Sequence, residues 1–370
     1  MKIGVLKEPS PETRVSVLPE HIALLKKFDG EILIENGAGD LAFASDESYV
    51  SAGAKCVSRT DVIREAGLIL CIHLPQDSSA EVFKNKILIG TFQPLYHKDI
   101  FEKFASVQTT IFSLDMLLRT TRAQSMDVLS SQANIAGYKA IILAAGLYPK
   151  YFPMFMTAAG SIAPAKVLVL GAGVAGLQAI ATARRLGGVV EVFDTRPAVK
   201  EEVQSLGAKF IEVEGAADAS KAGGYAVEQS QEFLERQKQR IAQAVQKADV
   251  VITTAQIFGK KAPILITKEM ISTMKRGSVI IDIAASTGGN TELTKDNETL
   301  ISDGVKIVGN SNLPATMPFD ASKLYGKNLA NFMALLFDKE NKFSINFDDD
   351  LVNAACITFD GKIINDRVKN

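Results

Sequence analysis

Over residues 1 to about 130, apolar runs alternate between two kinds. "KIGVLKE", "EILIENG", "GLILCIHL", "KNKILIGTF" and "ASVQTTIFSL" read as strands, and "PEHIALLKKF" and "SDESYVSAGA" as helices. Strands alternating with helices argue for a parallel α/β sheet. The next segment, "SSQANIAGYKAIILAAGLY", carries Ala, Ile and Leu at helical spacing over nearly five turns. Ser130 or Ser131 is expected to cap it. It reads as a buried helix linking two domains. After Pro149, Pro153 and Pro164 a second α/β unit begins. Its strands are "KVLVLG", "VVEVFD", "KFIEVE", "DVVITTA", "SVIIDIA" and "VKIVGN", the pattern of a doubly wound sheet. "KNLANFMALLF" is a late amphipathic helix. The tail "INFDDDLVNAACITFDGKIIN" suggests a small hairpin turning at Asp-Gly. Residues 214–233 are too long for an ordinary connection and read as a binding loop.

Composition narrows the class. The chain has 370 residues, 47% hydrophobic, with a formal net charge of -1. That length suggests two or three domains, and the balanced charge gives no general attraction to nucleic acid. The start "MKIGVLKEPS" lacks the apolar core of a signal peptide, and "AIILAAGLY" is too short to span a bilayer. A soluble, cytoplasmic chain is expected. Cys56, Cys71 and Cys356 form no CxxC pair, and His21, His73 and His97 have no metal-ligand spacing, so no metal site is expected.

The strongest chemical signal is "KVLVLGAGVAGLQAIATARRLGGVVEVFDTR". Gly171, Gly173 and Gly176 form G-x-G-x-x-G between an apolar strand and an amphipathic helix, and a second strand ends at Asp194. Gly171 permits a tight turn, Gly173 lets backbone approach a pyrophosphate, and Gly176 allows close packing of helix on strand. The helix opens with Val174 and Ala175, where free N–H groups meet phosphate. Asp194 would accept the adenosine ribose hydroxyls and repel a 2'-phosphate, favouring NAD(H). Thr195 and Arg196 follow it, and Arg196 softens the preference. Thr254 and Ala255 lie at a later strand end, where ligands bind in open α/β sheets. The loops 288–290 and 309–318 either line the nicotinamide pocket or are ordinary turns.

One more stretch stands out. "RTTRAQSMDVLSSQ", Arg119 to Gln132, is densely polar between apolar segments and contains no His, Cys, Gly or Pro. Together with "KEPSPETRVSVLPE", "FPMFMTAAGSIAPAKVLVLGAGVAGLQAIATARRLG" and "PILITKEMISTMKRGSVIIDIA", it resembles the alanine dehydrogenase and proton-translocating transhydrogenase superfamily over nearly the whole chain. The likeness is greater to the NAD(H)-binding transhydrogenase components than to the dehydrogenases. The resemblance implies two Rossmann-like doubly wound parallel-sheet domains with a cleft between them. The first would span 1–130, completed by 322–370. The second, 131–321, would bind NAD(H). It implies an oxidoreductase component that passes hydride between NADH and NADP+, the latter held on a partner. It also implies a homodimer, a membrane proton-channel component, and a peripheral place on the cytoplasmic face of the inner membrane. By position, Arg119, Gln124, Asp127 and Ser130 would sit beside the nicotinamide, and Tyr225 on a loop closing over the nucleotide, with Gly223 and Gly224 giving it freedom. Ser286 departs from the family, which carries an acid there.

Chemistry separates the two relatives. An amino-acid dehydrogenase must move protons as well as hydride. Alanine dehydrogenases use a lysine, a histidine and an aspartate. This chain has His73, then Gln93 and Pro94, and then Ser286 at those places. His73 and His97 are more naturally structural than basic. Hydride transfer between two nicotinamides requires only positioning and exclusion of water. Two alternatives stay open. One is an alanine dehydrogenase-like enzyme, for which Arg14 resembles a substrate-carboxylate ligand. The other is a non-catalytic NAD-binding module.

Overall fold

The structure, a computed structural model, describes residues 1–28, 30–77, 79–213, 215 and 230–369. Tyr225 and its neighbouring glycines lie outside the described residues. The chain divides into two compact units, Met1–Gln132 with Ala315–Asn370, and Ala133–Pro314. The boundary falls within the helix Val128–Leu147.

Among the described residues, eight strands make the sheet of the first unit. In spatial order they are Lys362–Ile363, Cys356–Phe359, Thr110–Ser113, Ile87–Gly90, Leu68–Leu70, Ile3–Val5, Ile32–Glu35 and Lys55–Val57. The six that come first in the chain pair in parallel. Chain order runs outward from Ile3–Val5 in one direction, then returns to Leu68–Leu70 and runs the other way. The topological switch therefore lies between those two strands. Serine caps, Ser45 and Ser58, start the helices Asp46–Ser51 and Arg59–Glu65 by accepting backbone N–H groups.

The C-terminal tail completes this sheet. Asp360 and Gly361 have φ of 48° and 75°, the two left-handed residues of a tight hairpin turn. Cys356–Phe359 and Lys362–Ile363 flank it. The tail is more than the expected hairpin. Asp349 caps a helix, Asp350–Ala355, and Cys356–Phe359 joins Thr110–Ser113 antiparallel. Asp349 accepts the Leu351 and Val352 N–H groups, and that capping carboxylate is the cue to the helix.

The second sheet runs Lys209–Phe210, Val189–Phe193, Lys166–Leu170, Val250–Thr253, Val279–Asp282, Val305–Gly309 and Glu298–Ser302. Among its described strands Glu298–Ser302 alone is antiparallel, in a hairpin turned by Asp303 and Gly304. Its switch point lies between Lys166–Leu170 and Val250–Thr253. The period-2 geometry of a strand explains the core. Val167 and Val169 pack with Ala179, Ile180 and Ala183 of the helix Val174–Arg185, and with Ala140 and Ile141. Leu168 and Leu170 point the other way, to Ile241 and Val245 of the helix Gln231–Lys247. Both faces of the sheet are thus covered, as a doubly wound fold requires. A two-stranded hairpin the sequence did not signal, Phe155–Thr157 with Gly160–Ile162, stands exposed on this unit.

Candidate functional site

The glycine turn follows the strand Lys166–Leu170. Gly171 has φ 103°, and a Cβ there would lie 2.5 Å from Thr254 Oγ1. A Cβ on Gly176 would lie 1.9 Å from the Gly171 carbonyl oxygen, so helix and strand end touch through backbone alone. Gly173 differs. Its φ of -77° and ψ of -170° suit any residue, and nothing lies within 4 Å of a Cβ built there. No side chain caps the helix it opens, so the first N–H groups, from Val174 and Ala175 on, are left for an incoming acceptor. A cradle with open space above an uncapped helix start fits a pyrophosphate. Across this turn the helix Val128–Leu147 passes at Gly137, where a Cβ would meet the Ala175 carbonyl at 2.0 Å. The sequence pattern assigned Gly137 no role; a glycine in the middle of an Ala-rich helix is the cue to such an approach.

Asp194 directly follows the neighbouring strand Val189–Phe193, one residue beyond the expected end, and its carboxylate is occupied. Oδ2 accepts the Ala172 N–H at 2.7 Å and Arg196 Nη2 at 2.8 Å. Oδ1 accepts the Arg196 backbone N–H at 2.8 Å and Nε at 2.9 Å. Thr195 between them is half-buried. Thr254 comes to the glycine turn, its hydroxyl donating to the Gly171 carbonyl at 3.1 Å. Ala255 is held on both backbone groups by Asn290, which accepts its N–H at 3.0 Å and donates to its carbonyl at 2.8 Å. Asn290 is fully buried and donates also to Pro263. It is a clamp on the segment beside the glycine turn. Asp282 in turn accepts the Asn290 N–H at 2.6 Å and the Thr294 hydroxyl. Ser286 is exposed on the short helix Ala285–Thr287 that follows.

The polar stretch lies in the first unit. Arg119 and Gln124 are exposed. Asp127 and Ser130 are brought together: the Ser130 N–H donates to Asp127 Oδ1 at 2.9 Å and its hydroxyl to Oδ2 at 2.6 Å. The cap of the long helix is therefore Asp127 rather than Ser130 or Ser131. The helix starts earlier than its apolar period suggests because a carboxylate supplies the acceptor that its first turn needs. The rest of the stretch is pinned to its own unit. Arg122 forks onto Asp349 at 2.6 and 2.7 Å, and Asn328 and Asn331 both donate to the Ser125 carbonyl at 2.8 Å.

At the switch point of the first unit lies a second polar cluster. Arg14 Nε and Nη2 fork onto Glu12 at 2.8 and 2.6 Å, and Nη1 donates to Gln132 at 2.8 Å. His73 Nε2 sits 2.8 Å from Glu12. Burial alone would raise the Glu12 carboxyl; Arg14 and His73 outweigh it and hold it well below the usual range. Glu8, beside it, accepts the Ile72 and His73 N–H groups, but burial pushes its carboxyl up to about 7. A cavity of about 290 Å³ opens here, lined by Lys7, Glu8, Glu35, Arg59, His73 and Asp77 among others. Arg59 in it is matched by Asp77 and Glu35. The sequence pointed to Arg14 and His73 but not to Glu12 or Glu8; two acids bracketing "PSP" just before the arginine were the available sign. His97 stands at the start of the helix Lys98–Ser106, its backbone carbonyl accepting the Ile100 N–H. Among the described residues no group of His, Cys, Asp and Glu is arranged to hold a metal, and no helix is long and apolar enough to cross a membrane.

Two doubly wound units, one carrying an uncapped glycine turn, define a Rossmann-type nucleotide-binding protein. Comparison with known proteins sharpens the class. Residues 4–136 match the N-terminal domain and residues 140–366 the C-terminal domain of the alanine dehydrogenase/PNT family. An NAD(P) transhydrogenase subunit alpha polypeptide of Rhodospirillum rubrum is 42% identical over 99% of this chain and 98% of its own. A transhydrogenase structure from Sinorhizobium meliloti superposes with a TM-score of 0.90 at 40% identity, covering 98% of this chain and all of that one. The alanine dehydrogenase of Staphylococcus epidermidis is 26% identical over the full chain and 96% of its own. The chain therefore belongs to the alanine dehydrogenase/PNT family of oxidoreductases, on its NAD(P) transhydrogenase side.

Proposed function

We propose that this chain is the NAD(H)-binding component of a proton-translocating NAD(P) transhydrogenase. It exchanges hydride with NADP(H) held on a partner component, and a membrane component carries the protons. Bound NAD(H) supplies the hydride at C4 of its nicotinamide. The backbone from Gly171 to Gly176 holds the pyrophosphate, Asp194 the adenosine ribose, and Thr254 and Ala255 the edge beside them. Arg119, Gln124, Asp127 and Ser130 position the ring. Ring-to-ring transfer moves no proton to or from a heteroatom, so this set needs no acid–base pair.

The observation that carries this reading over an amino-acid dehydrogenase is the bonding of Arg14. A carboxylate substrate needs that guanidinium fork, and here Glu12 and Gln132 already take it. His73, at the dehydrogenase lysine's place, is bonded to the same Glu12. We also propose a homodimer, peripheral to the cytoplasmic face of the membrane through its partners. The hairpin 155–162 supports a self-contact, since Met154 is 66% exposed, Met156 71% and Phe155 45%, with Tyr151 stacked on Phe155. The test is a pair of assays. Alone, the protein binds NADH and does not turn over alanine or pyruvate with ammonia. Exchange appears when an NADP(H)-binding component is added. Alanine turnover by the chain alone overturns the proposal.

A further inference from the structure

The nucleotide site just proposed meets a difficulty at Asp194, and the following inference rests on that site. A carboxylate offers about four lone-pair positions. All four are filled: by the Ala172 N–H, the Arg196 N–H, and Arg196 Nε and Nη2, at 2.7 to 2.9 Å. The two backbone donors are fixed by the turns that carry them. The ion pair is well shielded, the Asp194 side chain being 6% exposed. A ribose diol that needs two acceptor positions can obtain them only where the guanidinium now sits.

We propose that Arg196 is a built-in competitor for the ribose seat and the residue that sets discrimination at the 2'-position. Two states follow. In one, the guanidinium forks onto Asp194 and the seat is closed. In the other, the diol takes the fork's place and the guanidinium, tethered two residues away, stays at the ribose edge. Only the second binds the dinucleotide, so apparent affinity is reduced by the fraction of molecules in the first. The same arginine neutralises Asp194 and keeps a cation where a 2'-phosphate would lie. It therefore weakens binding of NADH and moderates rejection of NADPH. This exceeds the plain expectation that an acid after the second strand selects for a free 2'-hydroxyl.

The experiment is equilibrium titration of the full chain with NADH and with NADPH, read by nucleotide fluorescence, for wild type, Arg196→Ala and Arg196→Lys. Arg196→Ala is expected to tighten NADH about three- to tenfold by opening the seat. It should weaken NADPH at least about tenfold by unmasking Asp194. Arg196→Lys loses the fork and keeps the charge, so NADH tightens while NADPH holds near the wild-type value. Thermal unfolding of each variant shows whether the fold is kept, and Arg196→Lys serves where Arg196→Ala is unstable. NADH affinity that is weakened or unchanged in both folded variants overturns this inference and leaves the nucleotide site standing. A wild-type protein that binds neither nucleotide overturns the site itself, and the inference with it.

Discussion

Gly173 and Gly176 belong to one motif, yet the structure predicts opposite consequences for the same added methyl group. In Gly176→Ala the Cβ lands 1.9 Å from the Gly171 carbonyl oxygen and 2.9 Å from its carbon. Neither is a flexible side-chain end, so the helix Val174–Arg185 must move off the strand. Overpacking of this kind costs about 2–3 kcal/mol. In a unit of this size that lowers Tm by about 4–12 °C. Gly173→Ala places its methyl in open space at a backbone angle that alanine adopts freely. Stability is then unchanged or raised by about 0.5 kcal/mol, because alanine restricts the unfolded chain. The methyl does, however, occupy the space that a pyrophosphate must enter to reach the N–H groups behind it. A charge-assisted hydrogen bond is worth about 1.5–3 kcal/mol, so losing one weakens NADH about 10- to 150-fold. Thermal unfolding and NADH titration of both variants separate the two effects. Wild-type NADH affinity in a stable Gly173→Ala protein would refute the placement of the pyrophosphate over this turn.

Other consequences are as definite. The Glu8 carboxyl is raised to about 7, so between its ordinary value and pH 7 the folded chain holds a proton that the unfolded chain releases. Its contribution is full at the acid end and is lost as pH rises through 7, amounting to about 3 kcal/mol. Urea unfolding from pH 5 to 8 should show that decline in wild type and a flatter profile in Glu8→Gln; parallel profiles would contradict the assignment. Arg119→Ala and Asp127→Asn should slow hydride exchange more than they weaken NADH binding, since ring positioning acts mainly on the barrier. Equal losses in both would point to a merely structural role, which the Asp127–Ser130 cap makes the natural rival. Met156→Asp should shift the protein toward monomer in sedimentation while leaving Tm of the separated chain unchanged, because the residue is 71% exposed. An unchanged oligomer would remove the hairpin from the interface.

Much of the fold was legible because parallel strands buried on both faces are written as apolar runs such as "KVLVL" and "VVITT". The glycine turn was legible for a different reason: Gly171 and Gly176 each answer a steric demand within the chain, and Gly173 between them leaves open space. What the sequence pattern did not carry depended on partners distant along the chain. The edge strand Glu298–Ser302 and the hairpin 155–162 are too exposed to carry an apolar signature. Gly137 is unremarked in a helix until Ala175 is seen against it. Glu12 and Glu8 lie in a proline-rich turn, where acids are ordinarily solvated, and their burial comes from His73 and Ile72 more than 60 residues away. Asp194 was legible as an acid after the second strand, but the closing of its carboxylate by Arg196 is a matter of side-chain rotamer, on which the sequence pattern is silent.

On the function proposed, this chain presents NAD(H) for direct exchange with a second nicotinamide carried by another protein. The most direct test is cyclic reduction of an oxidised NAD analogue by NADH, followed spectrophotometrically with a purified cognate NADP(H)-binding component. Exchange that requires both proteins and bound NADP(H), and that falls in Gly173→Ala, is the predicted result. A protein that binds NADH but supports no exchange with that component would contradict the account.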